Sequence, residues 1–310
     1  MKTVRALTLQ TYGGIDATRL SDVPAPTAAP GQVLVSVRAA GVNGLDWKIR
    51  QGDVRDVFAL TLPAVLGIEL AGVVEAVGPG VSRFKAGDRV MGHIGGLGAY
   101  AELVAVDEVL LAHVPHAMSD LTAAAMPVAA VAAWQSLDMG GAPGAGKRVL
   151  IHGAGGGVGA FAVQMAKKLG AFVAATASER DRAAVYALGA DAVFDHETKR
   201  FEYMVDNVDL VLDYVGGEVL DRSWKVLSGT GMVVGTTSPD ILTRTPAGNR
   251  GLWFVVKPDA NLLERLANQV TEGELQARIG DVVPFADLPQ AIERNRTRAS
   301  HGKTVVDFSA

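Results

Sequence analysis

The chain has 310 residues, 49% of them hydrophobic and 20% charged, with a formal net charge of −4, 36 glycines and no cysteine. That length allows two domains with sizeable cores, the acidic balance gives a nucleic-acid-binding face no electrostatic support, and the missing cysteines exclude disulfides and thiolate metal ligands. The opening MKTVRALTLQTYGG has no signal-peptide core, and the longest apolar stretch, around Leu121 to Trp134, is interrupted by Pro127, so a cytoplasmic enzyme that does not span a membrane is expected.

The first third reads as β-rich. Val33 to Val37 (VLVSV) is a β-branched run after the turn signal APG. Ala71 to Val77 (AGVVEAV) is a second, closed by Gly78-Pro79-Gly80, and the AGD turn in Phe84 to Gly92 leads into a third. Short strands between Gly/Pro turns predict a partly closed, barrel-like domain. Near Ala123 the pattern changes, and Ala124 to Leu137 is Ala-rich and helical. From Arg148 strands and helices alternate: RVLIH, a helix from about Val158 to Leu169, FVAAT, a helix from about Arg180 to Leu188, AVFD, DLVLDYV, a helix near Glu218 to Leu227, MVVGT, and WFVV at Trp253. This is the signature of a doubly wound parallel sheet. A helix at Leu262 to Val270, a further helix and the strand KTVVDF follow. The predicted fold class is α/β, with residues 123–257 interrupting a β-rich domain formed by 1–122 and 258–310.

Two glycine-rich loops compete for a phosphate. Gly141 to Lys147 (GAPGAGK) resembles a triphosphate-binding loop, but Arg148 stands where Ser or Thr must hold magnesium, and the loop runs from helix to strand, the reverse of the required order. It reads as a helix stop followed by a turn, with Lys147 on the surface. Gly153 to Gly159 (GAGGGVG) follows a strand and opens a helix. Its pattern Ala154-x-Gly156-x-x-Gly159 is a dinucleotide fingerprint: Gly156 admits the backbone to a pyrophosphate and Gly159 lets the helix pack on the sheet. Ala154, Gly155, Gly156, Gly157, Val158 and Gly159 are therefore the expected cradle. At the end of the second strand stands Ser178, where an NAD site would have an acidic residue. With Arg180 and Arg182 nearby it suits a 2′-phosphate, hence NADPH, although Glu179, about twenty residues beyond the last glycine, fits an NAD spacing.

The segments AAGVNGLDWKIRQG, LPAVLGIELAGVVEAVGPGVSRFKAGDRVMG, VLIHGAGGGVGAFAVQMAKKLGA, LGADAVFDH, DLVLDYVGGEVL and GKTVV span almost the whole chain. Together they resemble the zinc-free quinone oxidoreductase (zeta-crystallin-like) branch of the medium-chain dehydrogenase/reductase superfamily, which includes plant alkenal reductases. The resemblance implies a GroES-like β-barrel domain beside a Rossmann domain, a cleft between them as the active site, NADPH as cofactor, and a homodimer. The positions that carry zinc ligands in metal-dependent members hold Asn43, Ile68 and Pro127, none of which can replace thiolate or imidazole. No metal site is therefore expected, and Glu69 is expected to form a structural ion pair.

Without a Lewis acid, hydride transfer needs an acceptor that is already electrophilic, a quinone or an α,β-unsaturated carbonyl. The resemblance places the polar turn NGLDWK at nicotinamide and substrate. Asn43 is expected to orient substrate or ribose, Lys48 or an ordered water to stabilise the developing oxyanion, and Asp46 to act with them or as a helix cap. Further cofactor contacts are expected at His196, Val215, Gly235, Thr236 and Lys303, and substrate contacts at Trp47, Tyr100 and Trp253. His196 and Ala132 stand where many relatives have Tyr and Thr. Two alternatives remain open at this point: a reductase or dehydrogenase of one biosynthetic intermediate, and an NADPH-binding structural or regulatory protein of crystallin type.

Overall fold

The computed structural model describes residues 2–310. Two compact units divide the chain. One comprises the chain up to Val128, Pro258–Glu272 and Ile279–Ala310; the other comprises Ala129–Lys257 and Gly273–Arg278. The observed boundary thus lies six residues beyond the expected 122, and the short segment Gly273–Arg278 joins the second unit although it follows the return of the chain to the first.

In the first unit the ten-residue strand Gln32–Gly41 is central. It pairs antiparallel with Glu69–Val77, with Leu103–Asp107 and with Lys303–Asp307. The sequence alternates as expected of a half-buried strand, with Val33, Val35 and Val37 buried. Those three valines join Leu70, Val74, Phe84 and Val90 in one core cluster. Fusing the chain's last strand to the central strand ties Lys303 to the level of Gly41 and Asn43, 260 residues away in sequence. This pairing decides the chemistry of the unit.

NGLDWK is not a turn but the start of an α-helix, Gly44–Gln51. Asp46, at the third helical position, accepts a hydrogen bond from the Asn43 backbone N–H at 2.7 Å, half of a capping box. Gly52, in the left-handed region at φ 83°, ends the helix. Leu45, Ile49 and Trp47 pack on a second core with Leu7, Leu9, Tyr100 and Phe285.

The second unit is a six-stranded, all-parallel sheet. In chain order its strands are Arg148–His152, Phe172–Ala177, Ala192–Asp195, Val208–Asp213, Leu227–Gly235 and Arg250–Trp253, and their spatial order is 3-2-1-4-5-6. This is the dinucleotide-binding order, with its switch point between the first and fourth strands. His152 closes the first strand and is fully buried. Burial lowers its pKa to about 4, so the ring is neutral, and it bridges Thr176 Oγ1 and Ser223 Oγ at 3.0 Å each.

Three elements differ from the sequence reading. The Ala-rich helix is two helices, Asp120–Ala124 and Ala129–Met139, broken around Pro127, which cannot donate within a helix. WFVV is not a strand beyond Trp253, because its neighbour ends at Gly235 and leaves nothing to pair with. The helix near Glu218 shortens to Glu218–Ser223 and passes through a 3-10 turn, with Leu227 already in the next strand.

Candidate cofactor cradle and polar cluster

In the second unit, the loop after the first strand is shaped by missing side chains. The helix Gly157–Lys168 begins directly behind it. A Cβ on Gly159 would lie 2.3 Å from Gly153 O and 2.6 Å from the Ala154 Cα, so only glycine lets helix and strand approach this closely. A Cβ on Gly155 would fall 2.8 Å from the Asp181 carboxylate. Gly156, at φ −82°, has its Cβ direction open, with only Gly153 O at 3.4 Å. Gly156, Gly157 and Val158 are half-buried, while Ala154, Gly155 and Gly159 are buried. The start of the helix therefore lies beside an open position at Gly156, and the first N–H groups of a helix suit a pyrophosphate.

The other expected cofactor residues of this unit gather at the same sheet edge, each just after a strand end. Ser178 follows the second strand, His196 the third, Val215 the fourth, and Gly235 with Thr236 closes the fifth. The His196 backbone N–H donates to Ala177 O. Asp213 Oδ1 accepts from the N–H groups of Val215 and Gly216 at 2.8 Å each, which fixes the turn beside the switch point. Ser178 is the N-cap of the helix Glu179–Ala187. Its hydroxyl donates to Asp181 Oδ2 at 2.8 Å. Arg180 is exposed, and Arg182 lies on the surface against Glu179 and over the Tyr186 ring. Sequence reading missed two residues here: Asp181, and Arg278, which donates to Gly155 O and, at 2.5 Å, to Asp181 Oδ1. No local motif points to Arg278, because it arrives from beyond the domain's apparent end.

The rival loop behaves as a turn. The Gly141 and Ala142 N–H groups close the helix before them, and Lys147 N–H donates to Gly144 O. Lys147 Nζ meets Asp209 at 2.9 Å on the surface.

In the first unit the expected catalytic residues do come together, but inside a buried network. Lys303 Nζ donates to Asn43 Oδ1 at 2.6 Å and pairs with Glu69 Oε1 at 2.5 Å. Asn43 Nδ2 donates to Glu69 Oε1 at 2.7 Å and to Gly41 O at 3.3 Å. Glu69 Oε2 accepts from the Val128 N–H at 2.7 Å. Below them Tyr100 Oη donates to Asp46 Oδ2 at 2.7 Å, and Asp46 has no exposed surface. Burial, opposed by hydrogen bonds from Tyr100 and Asn43, pushes the Asp46 carboxyl up to about 7.

This geometry bears on four expectations. Lys303, expected at the cofactor, is carried by pairing of the last strand into this cluster beside Asn43 and Glu69. Tyr100 has no exposed surface and cannot touch substrate; its hydroxyl holds Asp46. Asp46 is a buried cap, not a reacting group. Both Asn43 amide hydrogens are engaged, so Asn43 can only accept a further hydrogen bond. The expected ion pair of Glu69 is present, with Lys303 as its partner. Trp47 and Trp253 are part-exposed, each against its own unit's core. Lys48 is part-buried, its Nζ 5.5 Å from the Trp47 ring centroid, and burial lowers its pKa.

The chain matches the model of the alcohol dehydrogenase GroES-like domain over residues 29–116 and that of a zinc-binding dehydrogenase over 188–306. It is 33% identical to an NADPH-dependent alkenal/one oxidoreductase of Arabidopsis thaliana, over 98% of this chain and 80% of that protein. The chain belongs to the medium-chain dehydrogenase/reductase superfamily. Among solved structures, the quinone oxidoreductase from Coxiella burnetii superposes with a TM-score of 0.93 at 30% identity, covering 99% of this chain and 100% of the other. A mycobacterial protein complexed with NADPH gives a TM-score of 0.87 at 27% identity, covering 98% and 99%. The word zinc in the second family description does not fit the donor set in this member. Asn43, Ile68 and Pro127, which the resemblance sets at the ligand positions, are an amide, an alkyl group and an imino acid, and the Lys303 ammonium lies against Asn43 and Glu69.

Proposed function

We propose that this superfamily member is a zinc-independent, NADPH-dependent oxidoreductase that reduces a quinone or an α,β-unsaturated carbonyl. The observation that carries this reading is the Lys303–Asn43–Glu69 cluster. Where a metal-dependent relative would polarise an alcohol oxygen, this chain holds a cation already paired with a carboxylate and hydrogen-bonded to an amide oxygen. Such a site does not activate an alcohol, so the substrate must bring its own electrophilic carbon.

Gly156 to Gly159 would hold the pyrophosphate of NADPH at the helix start, and the Asp213-braced turn at Val215 would border the cofactor near the switch point. When bound, NADPH supplies the hydride. The chain's own part is alignment and charge stabilisation. Lys48 is the donor toward the oxygen that becomes negative as the acceptor is reduced. Its part-buried ammonium gives up a proton more readily than an exposed lysine, which suits donation to an enolate or phenolate oxygen. Asn43 keeps one acceptor site for a ribose or substrate hydroxyl. Trp47, beside Lys48, would offer apolar surface to the acceptor. This reading takes the enzyme as cytoplasmic, as read from the sequence, and as a homodimer, as the family resemblance implies; no helix among the described residues is long and apolar enough to cross a membrane.

NADPH oxidation with benzoquinone, phenanthrenequinone and a short alkenal tests the reading. Turnover is expected with at least one, and silence with all three sinks it. Lys48→Met should lower kcat/KM by about 100-fold. It should also remove the alkaline limb of the pH profile, because activity falls as Lys48 loses its proton and its lowered pKa brings that loss closer to neutrality.

A further inference from the structure

Three positively charged side chains compete to explain how the cofactor's adenosine end is read. Arg180 and Arg182 sit near the second strand's end in sequence, yet both are exposed, and Arg182 is shared between Glu179 and Tyr186. Exposed guanidiniums are screened and hold no fixed geometry. The third, Arg278, is a different case. Its side chain is 18% exposed, and two contacts fix the plane of its guanidinium: Nη1 to Gly155 O and Nη2 to Asp181 Oδ1. Asp181 in turn holds the Ser178 hydroxyl, and a Cβ on Gly155 would collide with the Asp181 carboxylate. The phosphate loop, the residue ending the second strand and Arg278 therefore form one hydrogen-bonded unit.

The electrostatics of that unit settle which dinucleotide it can accept. An acidic side chain at the end of the second strand selects a ribose hydroxyl and repels a 2′-phosphate. Asp181 supplies such a carboxylate, three residues into the helix. Alone it would favour NADH. Its pairing with Arg278 cancels the charge, and only two of the five guanidinium N–H groups are used in the contacts to Gly155 and Asp181. A planar guanidinium held beside a phosphate loop is the group best suited to a second phosphate, because it can meet two oxygens at once.

We propose that Arg278 is the specificity-determining residue for the 2′-phosphate of NADPH, held in place by Asp181 and Gly155. This rests on the cofactor reading above and names the residue that makes the preference. It also gives a role to the segment Gly273–Arg278: it returns to the nucleotide-binding unit and delivers this side chain to its phosphate loop.

The test is the dissociation constant of NADPH and of NADH, each titrated by calorimetry, for the full-length protein and four variants. Arg278→Leu should weaken NADPH by about 10- to 100-fold and NADH by less than about threefold. Arg278→Lys should fall between wild type and Arg278→Leu, since a point charge replaces a fork. The double variant Arg278→Leu/Asp181→Asn removes the carboxylate as well, and the NADPH preference should stay lost. Arg182→Leu should leave both constants within about threefold. Unchanged NADPH binding by Arg278→Leu overturns the proposal, as does a double variant that regains the wild-type preference. Equal weakening of both dinucleotides also overturns it, because Arg278 would then only brace the loop. Wild-type protein that binds neither dinucleotide breaks the cofactor reading itself, a distinct result. Thermal melts of each variant identify loss of folding, and Arg278→Lys, which keeps a cation toward Asp181, is the variant that stays informative in that event.

Discussion

The glycine loop of the second unit and the polar cluster of the first are built on opposite plans. Between Gly153 and Gly159 five of seven residues are glycine, and the missing side chains let a helix close on a strand at Gly159 and leave the space at Gly156 open. Around Lys303 the chain does the reverse. It buries an ammonium, two carboxyl groups, an amide and a phenol, and they satisfy nearly all of one another's hydrogen bonds. One region is prepared to receive charge from outside, and the other is closed on charge of its own. A change at the open position Gly156 should cost binding and little stability, whereas changes in the second region should cost stability first.

The hardest test of that contrast is Lys303→Met. It leaves Glu69 buried without its cation, and loss of one partner of a buried pair costs about 3–5 kcal/mol. Chemical denaturation should show a drop of that size; a change below about 1 kcal/mol would mean the cluster is not the structural unit described here. Next is Gly156→Val. The Cβ direction is open, so the melting temperature should stay near wild type while NADPH affinity falls by about 100-fold or more, as bulk enters the phosphate position. Intact binding would remove the loop from the cofactor site.

Asp46→Asn comes third and has a sign. The Asp46 carboxyl is raised to about 7 in the folded chain, well above its ordinary 3.8. Its contribution to stability is therefore fully present below pH 4 and is lost as pH rises toward 7. Between pH 5 and 7 the wild type should lose about 2 kcal/mol relative to Asp46→Asn, whose amide can still accept from Asn43 and Tyr100. Parallel stability curves for the two proteins would contradict this. The smallest effect belongs to Lys147→Ala in the rival loop. A surface pair with Asp209 contributes less than about 1 kcal/mol, and NADPH affinity should be unchanged.

The two regions also differ in how well they could be read without coordinates. The cradle was legible because its evidence is local: strand, glycine pattern and helix lie within about twenty consecutive residues, and each glycine has a backbone reason. Gly159 packs where the fingerprint says it should. The polar cluster was only half legible. Asn43, Asp46 and Glu69 were singled out, and the ion pair of Glu69 was expected, but its partner was assigned to the cofactor. Tyr100 reads as a substrate contact in sequence because an aromatic residue carries no mark of burial there. Arg278 went unread for a related reason: it lies 97 residues from Asp181 along the chain.

The sequence by itself determined most of the elements and their order, the parallel sheet, the turn at Gly141 to Lys147 and the close helix-to-strand packing at Gly159. All of these depend on neighbours in the chain, on period and on residue type. Only the tertiary structure decided which lysine neutralises Glu69, which hydroxyl holds Asp46 and which arginine stands by Asp181. Those are choices among chemically equivalent side chains, and the selection is made by strand pairing: the last strand, set against Gly41 by its ladder of hydrogen bonds, brings Lys303 to Asn43 from the far end of the chain.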